Sequence, residues 1–82
     1  MDDSQARATA KAVLARALDV PMESVDESWS ISTVEEWDSL SHLAVIAELE
    51  VQSGRALSIA EIQELSTFVE IANFLTRGQS DG

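Results

Sequence analysis

The chain contains no cysteine, which excludes disulfide scaffolding and any thiol chemistry from the polypeptide itself. Such a chain suits a reducing, cytoplasmic setting. Basic residues are scarce: five Lys and Arg stand against fifteen Asp and Glu, for a formal net charge of −10. That balance argues against nucleic acid and anionic membrane surfaces as partners, and for a protein with a basic patch. No apolar run approaches the ~20 residues of a membrane-spanning helix, and the N-terminus lacks the basic-then-apolar pattern of a secretory signal. There is no internal repeat, no low-complexity segment and no alternating pattern of strand length. What remains is 82 residues, read as one domain with a small core, a stability of roughly 5 kcal/mol and little room for a buried active site.

The charge is unevenly placed. Arg7, Lys11 and Arg16 lie in the first segment, and no Lys or Arg occurs from Asp19 to Gly54. That stretch holds Asp19, Glu23, Asp26, Glu27, Glu35, Glu36, Asp38, Glu48 and Glu50. A solvated acidic loop would account for it. Because the acidic half coincides with Ser39, steering of a basic enzyme toward that serine is the second reading.

The periodicity predicts four helices. Ala10, Val13, Leu14, Ala17 and Leu18 recur at helical spacing, giving a first helix over Ser4–Leu18 that Pro21 ends. A long connection from Asp19 to Asp38 follows, anchored by Val25, Trp29, Ile31 and Val34. A loop of that length in so small a domain is often functional. The second helix runs from Ser39 to about Gln52 and stops at Gly54. Ser58 and Glu61 form a capping box for a short third helix through about Glu64. Thr67 and Glu70 make a second such pair at the start of the last helix, whose buried stripe is Phe68, Ile71, Ala72 and Leu75. Arg77 lies at its favourable C-terminal end. Residues 1–3 are expected to fray and 78–82 to form a disordered tail, leaving about 4–76 ordered. The fold class is all-α: a small four-helix bundle of three longer helices and one short one.

Projected at about 100° per residue, the second helix is apolar on two nearly opposite sides. Val45, Ile46 and Leu49 form one stripe. Leu40, Leu43, Ala44, Ala47 and Val51 form the other, flanked by Glu48 and Glu50. Such a helix is either buried all round or holds one face for something else. In a domain this small the expectation is a core face and a partner- or cargo-facing one.

The stretch around which the chain is organised is Glu35-Glu36-Trp37-Asp38-Ser39-Leu40-Ser41-His42-Leu43. Asp38 is a good N-cap, and Ser39 opens the helix where free backbone N–H groups and the positive end of the macrodipole favour an attached phosphate. Asp38-Ser39-Leu40 opening a helix in an acidic chain of this length resembles the acyl carrier protein family. The helix order and the spacing to Gly54 and Thr67 extend that likeness from about Ser4 to Leu75. The resemblance implies that Ser39 carries 4′-phosphopantetheine, with Asp38 its motif partner and Leu40 the motif's hydrophobic contact. It further implies a phosphopantetheinyl transferase using coenzyme A and Mg²⁺, a cargo-loading ligase or acyltransferase, and downstream biosynthetic enzymes with basic docking surfaces. The partner face would comprise Glu35, Glu36, Trp37, Leu43, Ala44, Ala47, Glu48, Glu50 and Val51, on a chain acting as a monomer. Carriers of fatty acid synthesis usually have Gly and a small or apolar residue before the Asp, and acids where Ala44 and Val51 stand here. Glu36-Trp37 is more similar to discrete carriers of specialised pathways, polyketide-type, aminoacyl or surface-sugar.

Other chemistry is not expected. His42 is one turn from Ser39, but no third member or oxyanion site accompanies the pair, and an ordinary surface or boundary histidine is the reading. Asp26 and Glu27 lack the alternation of a calcium loop. Trp29 and Trp37 read as loop anchors, because no basic residues interleave with them as in a stacking platform. The chain is thus expected to be no enzyme and to hold no metal. The reading of a different class is an unmodified acidic helical interaction module, which should barely notice Ser39→Ala.

Overall fold

Each helix begins and ends where local chemistry dictates. In the computed structural model, which describes residues 2–78, α1 spans Asp3–Leu18, α2 Ser39–Ser53, α3 Ile59–Glu64 and α4 Phe68–Gly78. The Asp2 carboxylate accepts the Gln5 N–H and caps α1. Two of the residues expected to fray, Asp2 and Asp3, are therefore ordered, and Met1 lies outside the described residues. α1 stops before Pro21 is reached, because Asp19 takes the left-handed conformation at φ 58° and Val20 N–H closes back on Ala15 O. Asp tolerates this region better than most residues. Pro21 instead precedes a single 3₁₀ turn, Met22–Ser24.

Gly54 closes α2 at φ 73°, a conformation that glycine adopts without Cβ strain. Ser58 and Glu61 form the complete capping box of α3. Thr67 Oγ1 accepts the Glu70 N–H at the start of α4. α4 runs to Gly78, and the rest of the expected tail, 79–82, lies outside the described residues.

The core is one cluster. α1 packs against both α2 and α4 through Ala6, Ala10, Val13, Leu14 and Leu18, which meet Val45, Ile46 and Leu49 of α2 and Phe68, Ile71, Ala72 and Leu75 of α4. The all-helical bundle read from the sequence is the fold. The long loop reaches this core through Val25, which is buried, and through Trp29, Ile31 and Val34, which pack against it partly buried. A short two-rung pairing fixes its path: Ile31 N–H donates to Ser66 O at 2.8 Å, and Phe68 N–H to Trp29 O at 2.9 Å. α3 buries no side chain completely and is tied down at its rim. Arg55 makes a two-pronged ion pair with Glu61, at 3.2 and 2.8 Å, and lies 5.3 Å from the centre of the Phe74 ring. Among the described residues no helix is long and apolar enough to cross a membrane.

Candidate functional site

The site is built from the entry to α2. The extended backbone of Asp38 (φ −97°, ψ −171°) turns its carboxylate onto the Ser41 N–H at 2.9 Å, while its own carbonyl accepts the His42 N–H at 2.8 Å. The Ser41 N–H holds the Asp38 carboxyl below its ordinary range, against a smaller opposing effect of desolvation. Asp38 is thus a fixed anion serving the helix start. Ser39 follows as the first helical residue, exposed, and its hydroxyl makes no hydrogen bond within the described residues. Oγ is free to react, beside backbone N–H groups that a helix start leaves unpaired.

Past Ser39 the surface is apolar. Leu40 is 78% exposed, Leu43 60% and Val51 78%, with Ala47 exposed and Ala44 half-buried beside them. Val45, Ile46 and Leu49 on the opposite side are buried. The two stripes of α2 therefore face different surroundings, one the core and one open space. Ile59 of α3 is a further large exposed apolar side chain.

Other residues expected on the partner face are placed differently. Trp37 is 1% exposed and is among the largest side chains of the core, so it cannot offer its ring to another protein. The loop-anchor expectation for it holds. Glu50 is half-buried, and its Oε2 accepts the Leu57 N–H at 3.0 Å, bracing the turn after α2. Glu48 pairs with Arg16 of α1 at 3.7 Å. Of the acids expected on the partner face, Glu35 and Glu36 are exposed and make no ion pair among the described residues.

His42 is a correction. It is buried, at 9% exposure, where a surface or boundary position was expected. Its Nδ1 accepts from Trp37 Nε1–H at 3.0 Å and its Nε2 meets the Ile62 carbonyl at 2.8 Å. Both ring nitrogens are occupied, so His42 cannot serve Ser39 as a base. The sequence does carry a signal for this pair. Trp37 precedes the Asp38 cap and His42 is the fourth helical residue, the positions of a staple that fixes a helix entry. The described residues also bring together no set of three or more His, Asp or Glu that could hold a metal ion.

What this arrangement can do chemically is present an exposed hydroxyl at a capped helix start, with exposed carboxylates before it in the chain and an exposed apolar stripe after it. No model of a known protein family, no curated protein and no solved structure matches the chain.

Proposed function

We propose that the chain is a carrier protein that holds an acyl or aminoacyl cargo on a 4′-phosphopantetheine arm attached at Ser39. The observation that carries this reading is the free, exposed Ser39 hydroxyl at the first position of α2. The residues fit the group. Nothing covers Oγ, the helix start favours a phosphodiester through its unpaired N–H groups and dipole, and Asp38 is already committed to Ser41. In the loading reaction Ser39 Oγ attacks the phosphorus that bears the pantetheine arm in coenzyme A, and the P–O bond to adenosine 3′,5′-bisphosphate breaks. The hydroxyl proton passes to a base on the transferase, whose Mg²⁺ neutralises the diphosphate. The arm supplies a terminal thiol that holds cargo as a thioester.

The chain's own residues do the rest. Asp38 fixes the helix start. Leu40, Leu43, Ala47 and Val51 offer an apolar landing strip for the transferase, the loading ligase or acyltransferase, and downstream biosynthetic enzymes. Glu35 and Glu36 attract their basic surfaces. The absence of cysteine supports a place in the reducing cytoplasm, and the chain acts there as a monomer.

Incubation with coenzyme A, Mg²⁺ and a broad-specificity phosphopantetheinyl transferase should add one phosphopantetheinyl mass to the peptide containing Ser39. Ser39→Ala should abolish it. Labelling at another serine, or none at all, sinks the carrier reading and leaves an acidic helical interaction module in its place.

A further inference from the structure

The first turn of α2 carries a device that the attachment chemistry does not use. Trp37 and His42 occupy the two positions at which apolar side chains ordinarily staple a helix entry, and here the staple is polar. Trp37 Nε1–H donates to His42 Nδ1 at 3.0 Å, the rings lie 6.0 Å apart centre to centre, and His42 Nε2 is 2.8 Å from Ile62 O. An indole N–H only donates and a backbone carbonyl only accepts. Both bonds therefore coexist in a single state of the ring: neutral, with the proton on Nε2 and a lone pair on Nδ1. A second proton on Nδ1 would set donor against donor in a buried site, where an unsatisfied polar group is costly.

The bonds join three pieces of chain. Trp37 belongs to the long loop, His42 to α2 and Ile62 to α3, whose flanking residues Leu57 and Leu65 are buried in the core. Apart from the Arg55–Glu61 pair, its attachment within the helix rests on Ile62, only partly buried against the core. The carboxylates nearest in sequence make no bond to the imidazole. Asp38 is engaged with Ser41, Glu61 with Arg55 and Ser58, and Glu35, Glu36 and Glu64 face solvent. Asp38 and Glu61 are both held below the usual carboxylate range, Glu61 down to about 2. They keep their charge under mild acid.

We propose that His42 is an acid-sensitive latch: neutral, it clasps the Trp37 loop and α3 to α2, and protonated, it releases both beside Ser39. The latch stands on the ring geometry alone. Its effect on Ser39 rests on the carrier reading.

The test uses the full chain with Trp29→Phe, so that Trp37 is the one indole. At about pH 7.5 the His42 ring-nitrogen shifts should report a protonated Nε2 and a bare Nδ1, and the Trp37 indole N–H should exchange slowly. Acidification to about pH 5 should remove that protected signal and shift Trp37 emission to the red. His42→Gln keeps an acceptor and a donor but does not titrate, so its Trp37 emission should be the same at both values. A proton found on Nδ1, a Trp37 signal indifferent to acid, or a His42→Gln chain that responds like wild type overturns the proposal. Should His42→Gln not fold, the wild-type ring-nitrogen shifts decide alone. For Ser39, the ratio of wild-type to His42→Gln loading rates with one transferase cancels that enzyme's own pH profile. The ratio should fall in acid, and an unchanged ratio overturns the regulatory half. A chain that accepts no phosphopantetheine at either pH refutes the carrier reading, while the ring-nitrogen result still judges the latch.

Discussion

The two faces of α2 make opposite predictions for substitutions a few residues apart. Leu49 is fully buried between α1 and the rest of the core, so Leu49→Ala removes its methyl groups from contact and leaves a cavity. Such truncations cost about 2–5 kcal/mol, against a total of roughly 5 for a domain this small. With about 4–8 °C lost per kcal/mol at this size, the midpoint should fall by about 10 °C or more, and the variant can be largely unfolded at room temperature. Ile46→Val, at a neighbouring buried position, is the graded control at about 0.5–1.5 kcal/mol. Leu43 is 60% exposed, so Leu43→Ser has little burial to lose. Its cost should stay within about 0.5 kcal/mol, most of it helix propensity. Thermal melts by circular dichroism read all three, and a Ser39 modification assay reads the last. Leu43→Ser should melt close to wild type and load slowly. A Leu43→Ser chain that unfolds while Leu49→Ala is tolerated reverses the two faces. If both unfold, α2 has no free face, and docking must be sought elsewhere.

Three further outcomes are expected. Modification of Ser39 should slow as salt shortens the Debye length from ~30 to ~8 Å, and Glu35→Lys with Glu36→Lys should reproduce the slowing at low salt without moving the melting midpoint. Glu61 has its carboxyl drawn from 4.5 to about 2, first by the Arg55 side chain and then by the Ser58 N–H. Since the folded value is the lower one, its contribution is complete above the ordinary carboxylate value and is lost as pH falls toward about 2. Arg55→Met should therefore lower the melting midpoint at neutral pH and flatten its acid decline, and a decline as steep as wild type would count against the pair. Gly54→Ala meets no atom within 4 Å, so its cost is that of a side chain at φ 73°, about 1–2 kcal/mol. A neutral result in the same melts would mean that the turn after α2 can relax.

The starts of α3 and α4 and the end of α2 are legible because each carries a local chemical signature: Ser58 with Glu61, Thr67 with Glu70, and Gly54. The core face of α2 was legible from its 3.6-residue spacing, and so was the exposure of Leu40, Leu43 and Val51. The sequence allows Trp37 to be both a loop anchor and part of a partner face, since periodicity says nothing about a side chain outside a helix. Its indole is buried in the core, where its N–H finds an acceptor in His42 of α2. The burial of His42 is hidden from the sequence for a related reason: a lone imidazole is polar by composition, and only a donor and an acceptor from two other segments make it a core residue. Glu48 and Glu50 look free on a helical wheel. Their partners, Arg16 and the Leu57 N–H, come from elsewhere in the chain, beyond what a wheel can show.

The pairing of Ile31 with Ser66 and of Phe68 with Trp29 closes a ring of chain that contains all of α2 and α3. Both rungs lie outside α2 and α3, between the long loop and the entry to α4, so fraying of α2 or α3 alone leaves them in place. The Ile31 and Phe68 amides should therefore stay protected when α2 or α3 frays, and exchange later than the first-turn amides of those two helices. In a hydrogen-exchange experiment these two amides report the parting of the long loop from the entry to α4. The amides of α3 report separately on its own release.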